Sequence, residues 1–195
     1  DACRRVTSKS IEYANERIQF KVPISKFGAI KHKIAEMASK TFAVESATYR
    51  AGNEIEKNIS RLESEGVNHQ ESHLKGVEEY AIEASIVKIL GSETIQFCSD
   101  EGIQIFGGMG YSADTPMEAA YRDARIARIY EGTNEINRML LVGMILKKAI
   151  KGELDIMTPA MKVASELMSI PSFETPDENN LFEVEKESLK KLKKA

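Results

Sequence analysis

The spacing of apolar residues over positions 30–55 constrains this chain more than any other feature. Ile30, Ile34, Met37, Thr41, Val44, Thr48, Ala51 and Ile55 recur at alternating intervals of four and three. That row lies on one face of a long helix, and its heptad-like repeat suits an antiparallel bundle. The two threonines dilute the stripe, although their methyl groups still pack. Residues 1–20 lack Pro and Gly and carry Val6, Tyr13, Ala14 and Phe20 among charged positions, which predicts a first helix. Pro23 fits the opening turn of the next one. The polar run 63–73, with Gly66 and Asn68, reads as an inter-helix loop. A third helix is expected from Leu74 to Phe106 on Ile82, Ile86, Ile89 and Phe97, with Gly91 as a candidate close crossing. Gly107-Gly108-Met109-Gly110 stops it.

Thr115-Pro116-Met117-Glu118 has the elements of a capping box before a short helix that runs to about Tyr130. Thr133 then caps a further helix with Ile136, Met139, Leu140, Gly143, Leu146 and Ile150 on one side. Beyond Gly152 follow a Met-rich stretch to Ile170, a linker with Pro171 and Pro176, and a charged, Lys-rich end. The expectation is an all-α chain: an up-down four-helix bundle over 1–152 and a helical C-terminal extension over 153–195. Of the 195 residues, 42% are hydrophobic and 29% charged, which excludes wholesale disorder. Twenty-seven basic against 30 acidic side chains leave a net charge of −3 and exclude nucleic-acid binding by charge alone. No window approaches the length of apolar run that a transmembrane helix needs. Cys3 and Cys98 form no CxxC pair, which excludes a disulfide scaffold and a thiolate zinc site. The first residue is Asp and no signal peptide is visible, so the chain reads as processed or as a fragment.

Few residues stand out as chemistry. His69 and His73 lie four apart, but in the stretch read as loop and without an HExxH pattern, so no metal site is expected. No Glu precedes a His by three, which excludes a di-iron carboxylate centre. The glycine run is either a plain helix stop or a place where backbone approaches a flat or phosphorylated ligand. Glu131, at a helix junction between Tyr130 and Gly132, is either a desolvated base or an acidic residue favoured by the helix dipole. Arg17 is either solvated or a phosphate clamp.

Five segments occur in order: Arg17-Ile18-Gln19-Phe20, Phe27-Gly28-Ala29-Ile30, Gln104 to Tyr111 (QIFGGMGY), Arg122-Asp123-Ala124-Arg125, and Tyr130 to Ile136 (YEGTNEI). Over residues 1–152 the chain resembles the C-terminal helical domain of an acyl-CoA dehydrogenase. The GGMG loop, the FGxI segment and the extra tail are most similar to the very-long-chain branch. The resemblance implies that Glu131 is the catalytic base, removing the α-proton of a long-chain acyl-CoA while the β-hydrogen leaves as hydride to FAD. The product would be a trans-2-enoyl-CoA of fatty acid β-oxidation. It further implies that Arg17, Phe20, Gln104, Gly107 and Gly108 meet the FAD of a neighbouring subunit. Thr133 and Glu135 would approach FAD from a helix start, and Tyr130 and Gly132 would border the thioester.

The implied partners are acyl-CoA, an electron-transferring flavoprotein and a second copy in a homodimer or homotetramer, with membrane contact through 156–170 as one use of the tail and packing as the other. The compartment would be the cytoplasm in a bacterium and the mitochondrion in a eukaryote. Lys21 and Lys31 depart from the Gly and Gln that the family usually carries there. The family's preceding domains are absent, so the chain reads as a piece of the enzyme. Alternatives from the same residues are an acyl-CoA oxidase and a dehydrogenase-like assembly module.

Overall fold

The computed structural model describes residues 1–168 and Lys186. The linker expected at Pro171 and Pro176, the Lys-rich end and Ile170 lie outside the described residues. The elements are α1 (Ala2–Glu16), β1 (Ile18–Gln19), β2 (Val22–Pro23), a 3-10 turn (Ile24–Lys26), α2 (Gly28–Ser64) and α3 (His69–Glu79). They continue with α4 (Ala81–Phe106), α5 (Gly108–Tyr111), α6 (Pro116–Ile126), α7 (Asn134–Ile150) and α8 (Met157–Met168). The chain divides into two compact units, Asp1–Met144 and Ile145–Ala195.

In the first unit α4 is the central helix, flanked by α1, α2 and α6, and α1 also packs on α2. Val6 and Ala14 of α1, Met37 of α2, Cys98, Ile105 and Phe106 of α4, and Met117 of α6 make one buried cluster. Each large side chain in it contributes roughly 1.5–3 kcal/mol by leaving water. Tyr13 stacks on Phe106 with ring centroids 4.0 Å apart, which closes the cluster at the end of α1. The α2 stripe behaves as its spacing requires: Met37 is fully buried, and Thr41 Oγ1 lies 3.7 Å from Cys98 Sγ.

The all-α class holds, and the bundle differs in composition from the one expected. The first helix stops at Glu16, and residues 18–23 form a two-stranded hairpin in which Ile18 pairs with Pro23 and Gln19 with Val22. Pro23 therefore sits in a strand rather than a helical turn. The supposed loop at 63–73 is mostly helix. Asn68 accepts the Glu71 N–H at 3.0 Å and its amide donates to the Glu71 carboxylate at 3.1 Å, so α3 starts at His69. The expected third helix is broken at Tyr80. Close crossing falls at Gly102 rather than Gly91: a Cβ on Gly102 would lie 3.0 Å from Met117 Sδ and 3.2 Å from Val6 Cγ1, against 3.9 Å to Val44 for Gly91. Thr115 starts α6 without capping it by its side chain, because its hydroxyl donates to Met109 O at 2.7 Å, and Glu118 pairs with Arg122 instead.

The last difference concerns α7. Ile136, Met139 and Leu140 are 57%, 75% and 53% exposed, whereas α6 packs on α4. In the second unit α8 begins where the Asp155 carboxylate accepts the Thr158 N–H at 3.0 Å, and its Met157, Met161 and Leu167 are exposed. No described helix is long and apolar enough to cross a membrane.

Candidate active site

Between α6 and α7 the chain makes a turn in which Glu131 and Gly132 both take left-handed conformations, φ +56° and +79°. Glycine adopts this freely, but Glu131 bears a Cβ, at a cost of about 1–2 kcal/mol. A buried polar latch offsets that cost. Asn134, the first residue of α7, is fully buried against α4. Its amide donates to Ser92 Oγ at 2.9 Å and to Glu93 Oε1 at 3.3 Å, and Lys88 Nζ donates to its carbonyl oxygen at 2.8 Å. Lys88 also donates to the Gly132 carbonyl at 2.7 Å. From one turn into α7, Asn137 donates to the carbonyls of Gly132 at 2.8 Å and Thr133 at 3.1 Å. Thr133 caps the helix as expected, its Oγ1 accepting the Ile136 N–H at 3.3 Å.

The turn is thus rigid at the backbone while its side chains point outward. Glu131 and Glu135 are exposed and Tyr130 is 48% exposed. The desolvation considered for Glu131 is therefore not supplied by the described residues of this chain. Around the latch the charges are ordered. Burial pushes the Glu93 carboxyl upward, but hydrogen bonds from Arg138 at 2.7 Å and from Asn134 outweigh it and hold the group below the usual carboxylate range. Glu135 is held low by its own backbone N–H and the Thr133 hydroxyl, with Arg128 and Arg138 adding attraction.

The remaining expected residues gather elsewhere. Arg17 closes α1 by an N–H bond to Tyr13 O, and Phe20 occupies the hairpin turn, 86% exposed and edge-on to Phe27. Gly107, at φ +62°, ends α4. The Tyr13–Phe106 stack brings these two helix ends together, and Arg17, Phe20, Gln104, Gly107 and Gly108, at or near those ends in the chain, are a second group of exposed residues. Within the glycine run the roles divide. A Cβ on Gly110 would meet Ile103 O at 2.6 Å, which makes this glycine a packing requirement, whereas nothing lies within 4 Å of the Cβ positions of Gly107 and Gly108. At 1.5 Å per residue, Gly107 lies about 28 Å along α4 from Lys88. The structure therefore separates the expected site residues into two groups.

A cleft of about 880 Å³ runs between α1, α4 and α6 and reaches Tyr130, the neighbour of Glu131. Val6, Ile95 and Met117 make its apolar part, and Arg4, Arg5 and Lys9 with Asp1 and Asp123 its charged part. Sequence reasoning missed the latch residues Lys88, Ser92, Asn134 and Asn137. Lys88 and Ser92 did leave a signal, as a polar i,i+4 pair on a mostly apolar helix.

Residues 1–146 match the acyl-CoA dehydrogenase C-terminal domain. A probable acyl-CoA dehydrogenase of Bacillus subtilis is 44% identical over 195 residues, which is 99% of this chain and 32% of that protein. The human very long-chain and short-chain specific mitochondrial acyl-CoA dehydrogenases are each 35% identical over 138 residues, 71% of this chain and 18% and 29% of theirs. A crystal structure of an acyl-CoA dehydrogenase complexed with FAD from Bacillus anthracis superposes with a TM-score of 0.87 at 42% identity, covering 99% of this chain and 32% of that one. The chain thus spans about a third or less of the length of these relatives. By its helices, its Glu131 turn and these matches, the chain belongs to the acyl-CoA dehydrogenase family, as a C-terminal domain of that family.

Proposed function

We propose that this domain supplies the catalytic base of an FAD-dependent acyl-CoA dehydrogenase and that Glu131 is the base. The observation that carries the reading is the latched turn, which fixes the Glu131 backbone in a conformation costly for a non-glycine residue and leaves its carboxylate free. The carboxylate takes the α-proton of an acyl-CoA thioester, the Cα–H electrons form the Cα=Cβ bond, and the β-hydrogen departs with its electron pair. FAD, when bound, supplies the two-electron acceptor for that hydride. Gly132, without a side chain, leaves room for the thioester beside the base, and the apolar cleft reaching Tyr130 suits an acyl chain.

The second group fits the flavin nucleotide. Arg17 offers paired donors to a pyrophosphate, Phe20 an exposed ring, and Gly107 and Gly108 a backbone that a flat group can approach. The distance of this group from Glu131 favours its serving the FAD of a second copy, hence a homodimer or homotetramer. Thr133 and Glu135, beside the base, serve the flavin in the domain's own site. Long-chain acyl-CoA is the substrate class we assign, on the GGMG loop and the Met-rich α8, with an electron-transferring flavoprotein as acceptor. In the longer protein, Glu131→Gln should lower turnover by about a thousandfold while FAD stays bound. A variant retaining a tenth of the activity would place the base elsewhere. Reoxidation by oxygen faster than by an electron-transferring flavoprotein would make the enzyme an oxidase.

A further inference from the structure

We propose that Glu63, His69 and His73 form a binding site for a borderline divalent transition-metal ion such as Zn²⁺, at the junction of α2 and α3. The sequence offers only the histidine pair; the fold adds a third ligand. Glu63 lies in the last turn of α2, and His69 and His73 lie one turn apart on α3. One ligand atom from each of the three lies within 4.8 Å of the others. Glu63 Oε1 is 2.7 Å from His69 Nδ1, and the two imidazole rings are 4.3 Å apart, centroid to centroid.

Tetrahedral zinc with bonds of about 2.0–2.1 Å requires its ligands to stand about 3.3 Å apart. The three groups therefore need side-chain movements of about an ångström, and all three are exposed and free to make them.

The backbone beneath is already fixed. Leu62 O accepts the Val67 N–H at 3.1 Å and Arg61 O the Glu65 N–H at 3.0 Å, which closes α2. Asn68 caps α3 by accepting the Glu71 N–H, its amide donates to the Glu71 carboxylate, and the fully buried Ser72 donates to Asn68 O at 3.0 Å. Ligands on two rigid helix ends lose little backbone freedom on binding a metal, so this differs from a histidine pair on a lone helix. Two imidazoles and one carboxylate leave a coordination position for water. They favour Zn²⁺, Co²⁺, Ni²⁺ or Cu²⁺ over Mg²⁺ and Ca²⁺, whose hard character calls for oxygen ligands. The site lies on residues that the dehydrogenase reading does not use, so it stands or fails independently of that reading.

Calorimetric titration of the full 195-residue chain with Zn²⁺ tests it. One equivalent should bind at low micromolar zinc, and excess Mg²⁺ should not displace it. His69→Ala and His73→Ala should each weaken binding at least about tenfold, and Glu63→Gln by about three- to tenfold. Without any substitution, Co²⁺ should broaden the imidazole resonances of His69 and His73 before those of His32, the remaining histidine. Absence of zinc binding below millimolar concentration, or binding that persists when both histidines are replaced, would overturn the proposal. Unchanged affinity in Glu63→Gln would overturn the three-ligand site, and first broadening at His32 would do so too.

Discussion

The two groups of site residues lie beside opposite ends of α4 and are held by opposite means. Near Lys88 the turn carrying Glu131 is fastened by side chains: a fully buried asparagine, a lysine and a serine from α4, and a second asparagine from α7. Near Phe106 the hairpin and glycine run rest on an aromatic stack and backbone geometry, and Arg17, Phe20 and Gln104 reach outward from it. A base must meet one carbon–hydrogen bond at a set angle, and small misplacement is costly. On the function proposed above, groups that grip a nucleotide would gain their order from the ligand and a neighbouring copy, which agrees with their exposure. The contrast is between a site organised before binding and one organised by it.

Removing Asn134 should separate the two most sharply. Asn134→Ala deletes the bonds to Lys88, Ser92 and Glu93 at a fully buried position, while Lys88 keeps the Gly132 carbonyl and Ser92 the Ile89 carbonyl, and should cost about 2 kcal/mol. Denaturant unfolding of the chain reads that loss. In the longer protein the same change should lower kcat more than it raises KM, since it displaces the proposed base, Glu131. Gln104→Ala, at the exposed end, should change stability by less than about 0.5 kcal/mol. Equal losses from the two variants would break the distinction.

A smaller and opposite effect is expected at the hairpin. Phe20 and Lys21 have φ +50° and +69° in a two-residue turn between paired strands. A turn with both central residues left-handed matches strand twist but favours Asn-Gly, so both native residues are strained. The sequence departure noted at Lys21 thereby acquires a physical meaning, because a glycine there would fit the turn. Lys21→Gly should stabilise the chain by about 1 kcal/mol in the same unfolding measurement. Destabilisation would mean that the Lys21 side chain holds the hairpin by a contact stronger than the strain.

Much of this was legible beforehand, and the reasons for the rest are specific. Periodicity identified α2 because a stripe from Ile30 to Ile55 has one reading, and the YEGT segment singled out through resemblance the Glu131 proposed here as the base. The hairpin escaped because two residue pairs are too short for a period, and Phe-Lys is an unusual turn. α3 escaped because its start is written in the Asn68 side-chain cap on the Glu71 N–H, which lies inside a run whose overall polarity reads as loop. Periodicity alone cannot assign α7 a partner. Its stripe is present in the sequence, yet Ile136, Met139 and Leu140 stay exposed while α6 packs on α4, an outcome that depends on three-dimensional fit rather than spacing. The latch was hidden for a related reason: Lys88 and Asn134 are 46 residues apart and meet only through the fold.

Acid titration of the latched end should give the smallest effect. Glu93 accepts from Arg138 and Asn134, and these bonds hold its folded pKa below the usual 4.5 in spite of burial. A carboxyl depressed on folding adds stability that is present above the unfolded value and lost as pH falls through the folded one. The wild-type chain should therefore melt higher than Glu93→Gln at neutral pH, with the difference shrinking as pH falls below 4.5. Solvent screening keeps the difference small, because Arg138 and Glu93 keep 49% and 35% of their side-chain surface accessible. Hydrogen exchange gives the local reading: amides of residues 131–134 should open faster at acid pH in the wild type, whereas in Glu93→Gln they should show no such dependence. Acid sensitivity that survives the substitution would mean that another carboxylate fastens the turn, and Glu131 would then be held by something other than the latch on α4.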